Sequence, residues 1–193
     1  MKLTLLVIVA AVAIGLLTGG RLANLVRVRV RMPLLAPIGL GLQLIPVESR
    51  TLALAMLYVS FAVLLVFVIS NIRVAGVPLI LLGLVLNLAV IAWNEGMPVT
   101  THALVASGQR DTLNLLVHEG GAKHHLATPG DGLMPLADVI PIGWGIDQAV
   151  SVGDIATHFG IAWLIVAAMR KRPDDRMPVR RGTRSDQAVA LDG

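Results

Sequence analysis

Three aspartates lie near the end of a very apolar chain, at Asp138, Asp147 and Asp154, just before a long apolar run. Carboxylates are costly near hydrocarbon, so this placement requires a structural or a chemical reason. If Asp138 and Asp154 approach each other, repulsion and partial desolvation leave one protonated and the other charged. A pair of aspartates that activates water works in this state. Asp138 and Asp154 are therefore the leading catalytic candidates.

A structural explanation competes with this hypothesis for two of the three aspartates. Ser151 and Asp154 form a Ser-x-x-acid pattern before an apolar run, which predicts a capping box that satisfies free backbone N–H groups. His158 follows four residues later on the same helix face, so it can interact with Asp154 and is a weaker catalytic candidate. Asp147 lies in a Gly-rich turn that water reaches. Asp138, in the apolar segment LADVIPIG, has no structural reason of comparable strength.

Further polar residues stand at the end of an earlier apolar run, in the segment NEGMPV at 94–99. Its Asn, Gly and Pro end helices, so an exit turn explains most of the segment. Glu95 is a weaker catalytic candidate, for proton transfer or ligand contact. Asn87 lies inside the apolar run, and we expect it to hydrogen-bond another helix. Asn87, Asn94 and Ser151 are the candidate binding residues.

Four of the five histidines lie in the polar stretch between residues 94 and 150 or at its edges. His118, His124 and His125, with Glu119 or Asp131, offer groups that bind metals. Their H-x5-H-H spacing matches no zinc pattern, and adjacent histidines point in different directions on most backbones. We therefore expect solvent-exposed loop histidines, no metal site and no cofactor.

The composition is that of a membrane protein. The 193 residues are 55% hydrophobic and 15% charged, with a mean hydropathy of +0.78, whereas soluble domains have about 25% charged residues. Cysteine is absent, which excludes disulfides, Cys-ligated zinc, iron–sulfur clusters and thiol catalysis. The net charge of +4 comes from bases beside apolar runs in a chain with 4% aromatic residues. This pattern indicates membrane topology and argues against nucleic acid as a partner.

Five apolar runs predict an all-α, polytopic membrane bundle of five transmembrane helices. They cover residues 3–19, 33–47, 51–70, 74–93 and 151–169. The first run lacks a small-residue cleavage site, so we interpret it as a retained helix and not as a signal peptide.

The distribution of bases predicts an N-out, C-in orientation in a bacterial inner membrane. Twelve of the sixteen Lys and Arg residues then lie on the cytoplasmic side. The predicted bundle covers residues 1–170, with an external loop at about 94–150. A basic cytoplasmic tail at 171–193 is polar and has no apolar period, which predicts disorder.

Nearly the whole chain resembles a family of small bacterial polytopic membrane proteins known only as a domain of unknown function. The resemblance rests on Asn87, NEGMPV, LADVIP and SVGD, which occur in this order. It implies the membrane fold and no activity.

Residues 138–160 also resemble the lipoprotein signal peptidases, which are intramembrane aspartyl proteases. The segments ADVI and SVGD, with Gly160 beyond, are similar in order and spacing to the two aspartate segments of that family. The resemblance implies that Asp138 and Asp154 form the dyad, with Ser151 where that family has Asn. The chain lacks a Gly-rich segment ending in Asn-x-x-Asp-Arg and has one more predicted helix.

Three classes of function follow from these observations. The first is a membrane protein with a polar site at the outer face, acting as an aspartate-dyad hydrolase on a membrane-embedded substrate. The second is a non-enzymatic assembly or partner-binding subunit whose loop docks another protein. The third is a small-molecule transporter, which ranks lower because only Gln43, Ser60, Asn87 and His158 supply polar groups within the spans. Membrane lipid is an expected partner in every case.

Overall fold

The computed structural model describes residues 2–47 and 49–170, so the predicted tail at 171–193 lies outside the described residues. The fold is mostly helical, as predicted, but four three-residue strands form where only loop was expected. The helices are α1 (Lys2–Leu17), α2 (Leu35–Leu44), α3 (Arg50–Ser70), α4 (Val77–Asn94), α5 (Thr101–Ala106), α6 (Arg110–His118) and α7 (Val152–Arg170), with 3-10 turns at Leu22–Arg27 and Met134–Leu136. The strands are β1 (Met97–Val99), β2 (His124–Leu126), β3 (Ile140–Ile142) and β4 (Gln148–Val150).

Three helices in the described part of the chain, α3, α4 and α7, are long and apolar enough to cross a membrane. The prediction of five full spans is not confirmed, because α1 has 16 residues and α2 only 10. At 1.5 Å per residue α2 is about 15 Å long, half the thickness of the hydrocarbon core. It ends at Leu44 because Ile45 precedes Pro46 and adopts an extended conformation. The orientation in a membrane stays a prediction.

The helices of the bundle pack in the order α1, α7, α4, α3 and α2. The antiparallel contact between α4 and α7 is very close because glycines face each other along it. A Cβ atom at Gly160 would lie 2.7 Å from the carbonyl oxygen of Gly76 and 2.8 Å from the backbone nitrogen of Ile80. About two helical turns further along α4, Gly83 lies against the backbone of Gly153. The absence of side chains at these positions sets the distance between the two backbones.

Residues 95–151 form a cap that packs on the end of the bundle where α4 ends and α7 begins. Met97 and Ala137 of the cap are buried in one apolar cluster with Leu57 of α3 and Val90 of α4. The cap and the bundle therefore share a hydrophobic core.

Two small sheets organise the cap. Strand β1 pairs in parallel with β2, and Val99 of β1 forms a second parallel bridge, to Asp138. Strands β3 and β4 form an antiparallel hairpin. Strand β1 thus lies between two segments that are far apart in the chain.

The close α4–α7 contact predicts a clear difference between two glycine substitutions. Gly160→Ala places a methyl group against the α4 backbone, so we expect the free energy of unfolding to fall by about 1–3 kcal/mol, the usual range for overpacking. Gly41→Ala, within α2, is the control because an added Cβ meets nothing within 4 Å. Thermal unfolding in detergent micelles measures both variants. Equal midpoints for Gly160→Ala and Gly41→Ala would contradict the packing described.

Candidate functional site

The start of α7 carries the predicted capping box. The backbone N–H of Asp154 donates to Ser151 Oγ at 2.9 Å, and the backbone N–H of Ser151 donates to Asp154 Oδ2 at 3.2 Å. The two side chains therefore satisfy two N–H groups at the helix start, as a capping box does.

Asn87 joins this capping box to α4. Its Nδ2 donates to Asp154 Oδ1 at 2.7 Å, and its Oδ1 accepts from Ser151 Oγ at 2.8 Å. The prediction that Asn87 hydrogen-bonds another helix is confirmed. Both carboxylate oxygens of Asp154 accept hydrogen bonds within this group, which we call the Asn87 network (Asn87, Ser151 and Asp154).

His158 lies on the same face of α7 as predicted, but it contacts the backbone of Asp154. Its Nδ1 lies 2.7 Å from the Asp154 carbonyl oxygen, and its Nε2 lies 3.1 Å from Thr4 Oγ1. Since a carbonyl only accepts, Nδ1 donates to it, and Nε2 lies within hydrogen-bonding distance of the Thr4 hydroxyl. His158 thereby joins α7 to α1 without reaching the Asp154 carboxylate.

Asn94 and Glu95 connect α4 to the cap. Asn94 Nδ2 donates to the Gly132 carbonyl at 3.0 Å, and its Oδ1 accepts from the Gly132 N–H at 2.8 Å. Glu95 ends α4 with φ 53°, its side chain is exposed, and its carbonyl accepts from Arg50 Nη2 at 3.1 Å. These contacts confirm the predicted exit turn and give both residues structural roles.

The histidines at 124 and 125 point to opposite sides of β2, as adjacent residues of a strand do. His125 is half-buried, with Nε2 3.1 Å from Asp131 Oδ1. Asp131 Oδ2 accepts from the Thr128 N–H at 2.7 Å within the turn TPGDG at 128–132. The expectation that the loop histidines are solvent-exposed is therefore wrong for His125, because this turn covers it.

Asp138 is buried, with 6% of its surface exposed. Its backbone continues the sheet: its N–H donates to the Pro98 carbonyl at 3.1 Å, and its carbonyl accepts from the Thr100 N–H at 3.3 Å. Its Oδ1 is buried and has no hydrogen-bond partner in the described part of the chain. Its Oδ2 lies 3.7 Å from His124 Nε2.

The register of the sheet explains why Asp138 meets His124. His124 stands opposite Met97, and Asp138 stands opposite Val99. Residues in register on adjacent strands share a face, as do residues two apart on one strand. Asp138 and His124 therefore extend from the same face, on either side of β1.

Burial makes both members of this pair neutral near pH 7. The pKa of Asp138 is raised to about 8, mainly by burial and to a smaller extent by the charge of Asp154. Burial also lowers the pKa of His124 below 6.5, an effect that the Asp154 charge partly offsets. The accessible 53% of the His124 side chain faces a cavity that is partly open to solvent. At pH 7 the acidic proton of the pair therefore lies on Asp138, and the imidazole of His124 is neutral.

Asp138 and His124 line a cavity of about 1030 Å³ between the cap and the end of α2. Further polar side chains line it from the last turn of α2, from α6 and its two ends, from the residue before β2 and from β4. They are Gln43, Gln109, Thr112, Glu119, Lys123 and Gln148. A cleft that holds an acid with a raised pKa beside a histidine with a lowered pKa is typical of sites that bind ligands or transfer protons.

The candidate residues from the sequence therefore separate into two groups. Asp154, Ser151 and Asn87 form one network, whereas Asp138 is in the cavity wall with His124. Asp154 acts on Asp138 through its charge, and the two carboxylates share no hydrogen bond among the described residues. Sequence reasoning missed His124 as the partner of Asp138, because only the pairing of β1 with two distant segments brings them together.

Comparison with known proteins identifies the family of the chain. The model of a family of unknown function, DUF5317, matches residues 27–166, so the chain belongs to this family. An uncharacterised protein from Thermotoga maritima is 32% identical over 158 residues, which cover 80% of this chain and 85% of that protein. No solved structure matches. The expected membership of a family of unknown function is confirmed, and the resemblance to lipoprotein signal peptidases stays a prediction.

The pKa of Asp138 predicts a protonated carboxyl group at neutral pH. We expect an infrared C=O band of a protonated acid that persists at pH 7, disappears with a midpoint of about 8, and is missing in Asp138→Asn. Exposed Asp111 supplies the control, since Asp111→Asn leaves this band unchanged.

The same proton makes stability depend on pH. The native pKa is raised above the unfolded value of 3.8, so the native state is favoured at low pH. Its free energy of unfolding decreases by up to about 1.4 kcal/mol per pH unit from roughly pH 4 to pH 8. Asp138→Asn removes this contribution, which thermal unfolding at several pH values measures. A carboxyl band that is lost near pH 4, with equal pH slopes for both proteins, would contradict the burial of Asp138.

Proposed function

We propose that this member of the DUF5317 family is an integral membrane hydrolase with its site at the outer face of the membrane. The observation that supports the proposal best is the neutral Asp138–His124 pair in the cavity wall. A neutral imidazole can accept a proton from water, and a protonated carboxyl group can donate one to a leaving group. The pair offers both functions at neutral pH.

The proposed reaction keeps its proton balance within the pair. His124 takes a proton from water as the water oxygen attacks the carbonyl carbon of an amide or ester. Asp138 donates its proton to the leaving nitrogen or oxygen as the bond to the carbonyl carbon breaks. The proton on His124 then returns to Asp138 through one bridging water, because Nε2 and Oδ2 lie 3.7 Å apart, beyond direct hydrogen-bonding distance.

Asp154 takes an electrostatic role in this proposal. Its charge raises the pKa of His124, so it stabilises the imidazolium that forms during attack. The Asn87 network holds the carboxylate in place with hydrogen bonds to both oxygens. The proposed acid–base pair is therefore Asp138 with His124, and Asp154 is a positioning residue and not the second member of a dyad.

Hydrolysis can be tested without a known substrate by the use of ¹⁸O-labelled water. The purified protein, in nanodiscs, is incubated with bacterial membrane extract, and mass spectrometry identifies products that gain ¹⁸O. We expect wild-type protein to give labelled product, and Asp138→Asn and His124→Gln to reduce its rate by about 10²–10⁴-fold, the usual contribution of general acid–base catalysis. Matched controls are Asp111→Asn and His118→Gln, because both side chains are exposed on α6 and outside the cavity.

Two results would refute the hydrolase. One is the absence of any ¹⁸O-labelled product that depends on the protein. The other is labelling by Asp138→Asn at the wild-type rate, since the amide cannot replace the acid.

A non-enzymatic, partner-binding subunit is the second candidate. Trp144 favours it, because this side chain is fully exposed at the tip of the β3–β4 hairpin. Tryptophan is enriched at protein interfaces, and it is also enriched where proteins meet the membrane surface. This candidate predicts no ¹⁸O incorporation, so the same experiment separates the two.

A further inference from the structure

Helix α2 stops about halfway along α3. The chain before α2 is tied to the end of α3, where Arg31 N–H donates to Asn71 Oδ1 at 2.6 Å. The last turn of α2 is tied to the middle of α3, where Gln43 Nε2 donates to Ser60 Oγ at 2.8 Å. Since α3 is long enough to cross a membrane, α2 ends near the middle of the depth that α3 covers.

The cavity begins where α2 ends. Ile45, Pro46 and Val47 leave the helix and line the cavity together with residues of α6. From the cap, Lys123 Nζ donates to the Gln43 carbonyl at 2.6 Å. The wall of the cavity therefore extends from the cap to the last turn of α2, where Gln43 is hydrogen-bonded to the middle of α3, a helix long enough to cross a membrane.

The two ends of the cavity differ in chemistry. The wall at the end of α2 is mostly apolar, with Leu44, Ile45 and Val47. The wall toward the cap mixes apolar side chains with amide and hydroxyl groups and the Asp138–His124 pair. Lys123 and Glu119 bring opposite charges that offset each other. Because the charges of the wall offset each other, the cavity has no net charge that would attract a charged ligand. An uncharged polar group could form hydrogen bonds with the side chains of the wall.

We propose that this cavity binds a membrane amphiphile, with an uncharged amide or ester group beside Asp138 and its hydrocarbon chain along Ile45–Val47. The inference deepens the proposed function by naming the substrate class. Binding itself does not require hydrolysis, so the two can fail separately.

Photo-crosslinking tests the inference on the full chain in phosphatidylcholine vesicles. The probe is a long-chain primary amide that carries a diazirine in its chain, present at low mole fraction. We expect crosslinks in residues 43–47 and on the cavity side of α6. A fatty acid of equal chain length tests the preference for an uncharged group, and a short water-soluble amide tests the need for the chain. Both are expected to label these residues weakly.

Two variants of α6 test whether the probe occupies the cavity. Thr112→Trp fills it, because Thr112 lines the cavity, whereas Asn114→Trp is the matched control on an exposed position outside it. We expect Thr112→Trp to reduce labelling about tenfold, which corresponds to about 1.4 kcal/mol, and Asn114→Trp to leave it unchanged.

The outcomes separate the inference from the proposed hydrolase. Equal labelling in the two tryptophan variants overturns the inference, as does equal labelling by the fatty acid or by the short amide. Labelling in Asp138→Asn at the wild-type level supports it, since the amide at 138 still forms hydrogen bonds. Specific labelling without ¹⁸O incorporation would support the amphiphile site while refuting the hydrolase.

Discussion

The polar group of Asn87 inside an apolar helix is the constraint on which the rest of the structure depends. An amide buried without partners costs about 1–3 kcal/mol, and the apolar residues around it in α4 supply none. The start of α7 provides both partners, since Ser151 donates to the amide oxygen and Asp154 accepts from the amide nitrogen. Only one axial position of α7 along α4 satisfies all three groups. The glycines at 83 and 153 allow the two backbones to approach closely enough for these bonds.

This position determines where the cap is attached. The chain leaves α4 at Asn94 and returns at Ser151, so both ends of the cap meet the same end of the bundle. Strand β1 follows directly from α4 and forms backbone hydrogen bonds with the segment at Asp138. The hydrophobic core shared by cap and bundle then buries Asp138, while the fixed Asp154 adds its charge. A structural network thereby produces the electrostatic environment of the proposed reactive pair.

Features of the fold that depend on neighbours in the chain could be predicted from the sequence. The capping box at Ser151 and the helix end at Asn94 each follow from a few adjacent residues, and the structure confirms them. Asn87 required one more step, because an amide in an apolar span must find another helix. The half-length of α2 was missed, although Pro46 signals that Ile45 leaves the helix.

The Asp138–His124 pair could not be predicted in this way. It arises from parallel pairing of three-residue strands, which are too short to show an alternating pattern and which contain Pro98. The pairing brings together residues 97–99, 124–126 and 138, and no local preference specifies such contacts. His124 therefore resembled any exposed loop histidine, and Asp154 was the more evident partner for Asp138.

Burial leaves Asp138 and His124 both neutral at pH 7, and a titration of His124 measures this. The ¹⁵N chemical shifts of its ring are followed in nanodiscs and assigned by their loss in His124→Gln. We expect a neutral imidazole at pH 7, with a titration midpoint below 6.5, the ordinary value for histidine. A midpoint above 6.5 would show an imidazolium paired with an ionised Asp138, and the pair would then not be neutral.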